Sequence, residues 1–492
     1  MQAKKFSVSL KRIYYLIYTA ALILLFKSVL AAGLNYQYDI DELFHVQHIF
    51  LYSRSLLPFK DVFSIYSPLF HYLLMPVMRI AGFTFSGIYL LRIIMAIGFL
   101  VRILFSFLIV KKIFNLRTAL VFLPLFLLDP LSNFSAFQVR PDNFMILSFT
   151  SAFYLLIIFF SLRKNILLFF SAALFSLSLI FSLKIAPSVA VILLFTVFSL
   201  RKNYKTLVLF ILGFSLPLLL FYFVFFLLGL SGQMIRQIFI DSRIILNSLL
   251  FPGKMSGFFK PNNHFIYGAM GKPLTWYLLM ALPFLTLAGI ILSFTKLFKH
   301  HNKLSVQLAA VLAVVLLVQL YSLKSLYSFY IQYFLTISWL VSLFAAFFIS
   351  CAGNLLKNNK INFLFHIVLL IIFLIVAKSQ IPGNYYRAGI DHKNFITRMN
   401  YYWQFIPENE PTFPNFLFRK LAHPITYGLF PGDIPPQIYK KLPDISESLE
   451  KNKVKYILLN EYTLGFLPEA EQKYIRDNYS LYSYEYGIWV KN

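Results

Sequence analysis

The chain has 492 residues, 59% of them hydrophobic and 13% charged, with 57 Phe; globular proteins carry roughly 25% charged residues. No water-soluble fold has an interior large enough for that much apolar surface, so the composition predicts an α-helical polytopic membrane protein. The net charge is +26 and is unevenly spread: up to Lys378 there are 32 basic and 7 acidic residues, and beyond it 13 and 12. The basic excess sits in short gaps between apolar runs rather than on a polar surface, which excludes nucleic acid as a partner. A single cysteine, Cys351, excludes an intrachain disulfide and a four-cysteine metal site.

In chain order, residues 1–12 hold four cations before an apolar run of about 20 residues, longer than the 7–15 residues usual for a signal-peptide core, so the first run reads as a retained signal-anchor. Runs that suit a spanning helix of about 20 residues lie near 13–32, 86–110, 118–137, 142–162, 166–183, 186–200, 206–230, 273–295, 304–323, 330–350 and 361–378. The sixth is short, and Asp129-Pro130 interrupts the third. Eleven spans that start inside leave the C-terminus outside. The inner segments of that arrangement (1–12, 111–117, 163–165, 201–205, 296–303 and 351–360) carry 17 cations and no carboxylate, and all seven acids of the membrane part fall outside. Such a positive-inside bias fixes the orientation as N-in, C-out. Counting the apolar stretch 68–82 as another span would invert every later loop, so it is expected to lie along the outer face or lead into the second span.

Three outer segments are long: 33–67, 231–272 and the tail 379–492. The expected organisation is a membrane module over 1–378 and a small soluble α/β domain over 379–492. In that tail VKYILLN (454–460) reads as a strand, LPEAEQKYIRDNY (467–479) as a helix with acids first, and SLYSYEYGIWV (480–490) as a strand pair.

The first outer loop carries the densest chemistry. Asp39, Asp41 and Glu42 place three carboxylates within four residues. A helix starting there puts Asp41, His45 and His48 on one face (i, i+4, i+7), which is also metal-ligand spacing; a divalent metal, if one binds, would use Asp41, Glu42 and His45. The plain alternative is an N-cap, with Asp39 or Asp41 accepting free helix amides. LPFKD (57–61) forms a Pro-anchored turn that brings Asp61 back toward the loop, and SPLFHY (67–72) re-enters the apolar zone. Asp142 follows Arg140-Pro141 at the start of the fourth span, a standard capping position. It shares a leaflet with Asp41, where acids are costly without a cation, metal or substrate. Outer-side cations Lys184, Arg236, Arg243, Lys254, Lys260 and Lys324 are singly snorkelling anchors and together suit an anionic phosphate. Lys324 precedes YSFYIQYF (327–334), whose Tyr330 joins the substrate-facing set. Arg92 and Arg102, inside the second span, are expected to be structural.

Acids after a first span, D-E-x-x-H at 41–45, P-F-x-D at 58–61, S-P at 67–68 and R-P-D at 140–142 form a recognisable series. With Lys184, Lys324 and the tail elements K-Y-I-L-L-N, L-P-E and N-Y…G-I-W, the chain resembles the C-type (GT-C) integral membrane glycosyltransferases. The nearest group is the bacterial one related to protein O-mannosyltransferases and the lipid A aminoarabinose transferase. The resemblance covers nearly the whole chain through short, degenerate motifs. Asp39 is an extra acid and leaves open which carboxylate is the base.

The resemblance implies an inverting transfer of a sugar from a polyprenyl-phosphate donor to a hydroxyl acceptor, either a lipid-linked glycan or a protein. It implies an active site on the outer, periplasmic face of a bacterial inner membrane. Asp41 is then the expected base, Glu42 orients the acceptor or a metal, and Asp142 positions base or acceptor. Lys184 and Lys324 hold donor phosphate, while Asp39, His45, Asp61, Arg243 and Tyr330 contact substrate. Two rival readings are a transporter or flippase of lipid-linked glycans, which needs charges deep in the spans, and a non-catalytic scaffold, for which neutralising Asp41 changes nothing.

Overall fold

A computed structural model describes residues 2–129, 133, 135–248, 274–300, 303–324, 331–356, 359–389, 392–414, 416–425 and 434–492. The described chain is mainly helical. Its principal helices are α1 (Gln2–Asn35), α2 (Ile40–Ser53), α3 (Leu69–Ala81), α4 (Phe85–Ile113), α5 (Leu116–Leu128), α6 (Pro141–Leu162), α7 (Asn165–Phe181), α8 (Ala186–Leu200) and α9 (Tyr204–Leu227). They are followed by α10 (Leu274–Lys299), α11 (Leu304–Lys324), α12 (Ser338–Leu355), α13 (Asn359–Gly389) and α14 (His392–Phe405). Among the described residues nine helical stretches are long and apolar enough to cross a membrane. The shorter apolar helices α5 and α7, of 13 and 17 residues, stand at the third and fifth expected positions. The protein is a multi-pass membrane protein with a helix at each of the eleven sites its hydropathy marks.

Two helices differ in length from expectation. The third run stops at Leu128, with Asp129 extended (φ −77°, ψ 102°) as its C-cap. Pro130 explains the stop, because a residue before proline is pushed out of the helical region and proline offers no amide to continue the ladder. The last run goes the other way: α13 continues through Lys378 to Gly389 with Pro382 inside it, so the expected boundary at 378/379 falls within a helix. Residues 69–81 form α3, which presents Leu73 and Ile80 outward and holds Arg79 Nη2 on the Ser53 carbonyl at 3.0 Å.

Close helix contact depends on small residues, as membrane interfaces require. A Cβ on Gly289 of α10 would lie 2.2 Å from the Phe344 carbonyl oxygen of α12. At one end of the bundle Arg117 Nη1 donates to Asn354 Oδ1 at 3.2 Å, and Lys296 Nζ sits 4.5 Å from the Phe347 ring centroid. All lie in or beside segments whose charge assigns them inside. The acid-bearing loops meet at other places in the chain, described below.

The tail carries a five-stranded mixed sheet in the order β2-β1-β3-β5-β4, built from β1 (Pro411–Phe413), β2 (Lys420–Leu421), β3 (Tyr456–Leu458), β4 (Tyr479–Ser483) and β5 (Ile488–Lys491). β1 pairs in parallel with β2 and β3, and β5 runs antiparallel to β3 and β4. The expected strand at 454–460, helix at 467–479 and strand pair at 480–490 correspond to β3, Glu469–Asn478 and β4–β5. The turn between β4 and β5 uses Gly487 at φ +63°, where a Cβ would also meet the Asn460 amide.

The tail docks directly on α2. Phe418 N donates to Gln47 Oε1 at 2.6 Å, Gln47 Nε2 donates to the Arg419 carbonyl at 3.3 Å, and Phe63 N donates to the Pro424 carbonyl at 3.1 Å. Leu417 and Phe418 belong to the same apolar core as the spanning helices.

Candidate active site

The acids sit where two helix starts face each other. Asp39 is the N-cap of α2: its Oδ1 accepts the Asp41 amide at 2.8 Å, and Asp41 and Glu42 occupy the first turn, where the helix dipole favours them. The second start is α6, with Arg140 as its cap residue, Pro141 at its first position and Asp142 in its first turn.

Arg140 joins the two. Its Nη2 lies 2.8 Å from Asp39 Oδ1 and its Nη1 2.8 Å from Asp41 Oδ2, while its own side chain is only 5% exposed. Burial opposes the guanidinium charge, and Asp41, Asp39 and Asp142 more than offset it, so Arg140 holds its proton more tightly than a free arginine. Burial pushes the Asp39 carboxyl above its ordinary range, against the pull of Arg140.

Asp142 is buried, and Lys184 Nζ reaches both of its oxygens at 3.1 and 3.2 Å. Lys184 comes from a short 3-10 turn, Leu183–Ile185, that bridges α7 and α8. Its ammonium also lies 4.6 Å from the Tyr333 ring centroid, a cation–π contact. Tyr66 completes the inner wall. Burial drives its hydroxyl well above the ordinary range, and negative Asp41 and Asp142 and the Tyr333 phenol add to the effect.

The structure therefore brings Asp39, Asp41, Asp142 and Lys184 together. Glu42 stands apart from them. Its side chain is fully buried, Oε1 accepting Arg92 Nε at 2.8 Å and the Val139 amide at 3.1 Å, with Oε2 on Arg92 Nη2. His45 is buried behind the acids, with Nδ1 3.0 Å from His71 Nε2. Burial, followed by His71 and the Arg140 charge, pushes its imidazole well below its ordinary range. His48 Nδ1 sits 2.8 Å from the Phe44 carbonyl. Asp61 closes its own turn, accepting the Leu57 amide at 2.8 Å. Arg243 is exposed on the helix Ser242–Ser248. Lys324 ends α11, its side chain is outside the described set, and Tyr330, Lys254 and Lys260 lie outside the described residues.

Asp41, Glu42 and His45 do not fit a common metal ion. Glu42 faces Arg92 and His45 Nδ1 faces His71, and among the described residues no group of three or more His, Cys, Asp or Glu is placed to hold one. The sequence by itself assigns no role to Arg140, Tyr66 or Tyr333. Arg140 had a signal in its place beside Asp142, whereas the two tyrosines are indistinguishable from the other aromatic residues of an aromatic-rich chain.

No family model and no curated protein matches the sequence. Solved structures do resemble it. Apo ArnT from Cupriavidus metallidurans superimposes with a TM-score of 0.58 at 14% identity, over 100% of this chain and 98% of that one. ArnT from the same organism bound to undecaprenyl phosphate gives 0.53 at 12% identity, over 81% of each chain. The apo oligosaccharyltransferase of Archaeoglobus fulgidus gives 0.57 at 15% identity, over 95% of this chain and 72% of that one. The chain shares the fold of these ArnT and oligosaccharyltransferase structures.

Proposed function

We propose that the protein is an inverting glycosyltransferase that moves a sugar from a polyprenyl-phosphate donor to a hydroxyl on a lipid-linked glycan or a protein. The site works at the outer face of a bacterial inner membrane. One observation carries the reading: of the three clustered acids, Asp41 is held by Arg140 and is the most exposed, with Asp39 at 27% and Glu42 at 0%. Asp39 Oδ1 is filled twice, by the Asp41 amide and by Arg140, and Glu42 is consumed by Arg92. Among the described residues Asp41 is anchored only through Oδ2, by Arg140, and its side chain is 40% exposed.

In the proposed reaction the acceptor O–H gives its proton to Asp41 as its oxygen attacks the anomeric carbon from the face opposite the phosphate. The bond from that carbon to the phosphate oxygen breaks, and its electron pair leaves with polyprenyl phosphate. No acid is needed for a leaving group that is already a phosphate; what it needs is positive charge. Lys184 supplies it, having three N–H donors and a side chain 22% exposed beside Asp142. Asp142 fixes that ammonium, and Lys324, at the end of α11, is the second proposed phosphate ligand. The undecaprenyl phosphate bound by the ArnT structure is the donor's leaving group in this scheme. One oligosaccharyltransferase structure holds zinc and sulfate; the scheme for this chain uses side chains alone.

The test compares purified wild type with Asp41→Asn in lipid, given radiolabelled polyprenyl-phosphate sugars and a membrane extract of acceptors. Transfer by wild type that falls ~10²-fold or more in an equally folded variant is the expected result. A variant that matches wild type refutes Asp41 as the base. A wild type that transfers from no donor, with acceptor independently shown to be present, refutes the transferase.

A further inference from the structure

Gln319 is a polar residue in the last third of the spanning helix α11, 1% exposed, where a buried amide is expected to hydrogen-bond across to a neighbouring helix. Both ends of its amide are engaged. Oε1 accepts the Ser188 hydroxyl at 2.8 Å, and Nε2 donates to the Lys184 main-chain carbonyl at 2.9 Å. Gln319 belongs to α11, whereas Lys184 and Ser188 belong to the 3-10 turn and first turn of α8. Ser188 itself is buried at 1% exposure, so its hydroxyl has no water to turn to.

This bridge has a particular address. Lys184 is the residue whose ammonium holds Asp142, and α11 ends at Lys324, five residues after Gln319 and so about 7.5 Å along the axis at 1.5 Å per residue. One buried amide thus ties together the two elements that present both proposed phosphate ligands. The carbonyl it grips is that of Lys184, in a turn of only three residues, Leu183–Ile185. A turn that short has few hydrogen bonds of its own, so an outside donor decides how the lysine stem leaves the backbone.

We propose that Gln319, supported by Ser188, is a positioning residue for the donor's phosphate: it fixes Lys184 and sets its spacing from Lys324. This rests on the reading of Lys184 as a phosphate ligand. It separates two ways of losing affinity, through the phosphate and through the prenyl tail. Gln319 acts only on the first, because it faces Ser188 and a carbonyl and leaves the outward face of its helix unchanged.

The experiment measures equilibrium binding of radiolabelled undecaprenyl phosphate, and of the uncharged undecaprenol, to the full-length protein in nanodiscs. Wild type, Lys184→Ala, Gln319→Leu and Ser188→Ala are compared after each is shown to be monodisperse with a cooperative thermal transition. Lys184→Ala tests the parent reading and is expected to weaken undecaprenyl phosphate binding by ~30-fold or more. Gln319→Leu is expected to weaken it about tenfold, and Ser188→Ala, which leaves the bond to Lys184 intact, two- to threefold. Undecaprenol binding stays within twofold in all of them. Because Ser188→Ala removes a single hydroxyl, it keeps the test valid if Gln319→Leu does not fold, and unchanged binding in that variant then overturns the proposal. Loss with Lys184→Ala but none with Gln319→Leu overturns the positioning role alone. Equal losses for undecaprenyl phosphate and undecaprenol in Gln319→Leu overturn it as well, since they mean general disruption. Absence of a phosphate-dependent difference in wild type overturns both readings.

Discussion

Glu42→Gln separates a structural acid from a reacting one. Glu42 and Arg92 are 0% and 1% exposed and share two contacts, and the guanidinium also donates to the carbonyls of Leu34 at 3.2 Å, Tyr36 and Gln37 at 3.4 Å. Removing one partner of a buried ion pair costs about 3–5 kcal/mol, because the other charge is left uncompensated. The substituted amide keeps an oxygen for the Val139 N–H, and the three carbonyls still satisfy most guanidinium N–H groups, so the loss belongs at the lower end, about 3 kcal/mol. That is a little over a hundredfold in the folding equilibrium. Unfolding followed in detergent or lipid, with transfer activity normalised to folded protein, reads both consequences. The expected outcome is a destabilised variant whose folded fraction still transfers sugar. Adding Arg92→Gln removes the orphaned charge and is expected to recover part of the loss, giving a coupling term of about 2 kcal/mol in the double-mutant cycle. A Glu42→Gln protein as stable as wild type but ~10²-fold less active would refute this reasoning and place Glu42 among the reacting groups.

Three further expectations can be checked in the same system. Asp39→Ala removes a helix cap and one arm of Arg140, so it is expected to cost about 1–2 kcal/mol of stability while lowering activity far less than Asp41→Asn; equal activity losses would make Asp39 the base. Gln47→Leu strips the Phe418 amide and the Arg419 carbonyl of a buried partner, at about 1–3 kcal/mol each, and limited proteolysis should then cut the tail faster than in wild type. Burial pushes the His48 imidazole from 6.5 down to about 4. Between those values the unfolded chain binds the extra proton, so stability falls as pH falls, by up to about 3 kcal/mol at 1.36 kcal/mol per unit. His48→Gln is expected to flatten unfolding midpoints measured from pH 6.5 to 4, and a slope unchanged from wild type would show that other groups carry it.

Much of the architecture follows from the sequence by itself, because the physics involved is local. Twenty apolar residues can span a bilayer whatever surrounds them, and the 17 cations confined to alternate gaps predict an orientation from charge alone. Pro130 stops α5 through its own neighbour, and Asp39 caps α2 through an amide two residues away. The strand and helix at Tyr456–Leu458 and Glu469–Asn478 in the tail are likewise read from pattern. Even Asp41, Asp142 and Lys184 can be picked out, since charge beside a membrane is expensive and therefore conspicuous.

Which charge meets which is decided by tertiary structure. Asp41 and Glu42 are adjacent, so successive positions on a helix point about 100° apart, and packing alone sends one to Arg140 and the other to Arg92. The same is true of Arg140, whose two partners lie about a hundred residues earlier, and of Gln319, whose amide joins residues more than 130 positions away. Tyr333 stands beneath Lys184 for the same reason. These pairings depend on the rotation and depth at which one apolar helix settles against another. Hydropathy is nearly blind to both, because any face of an apolar helix satisfies it.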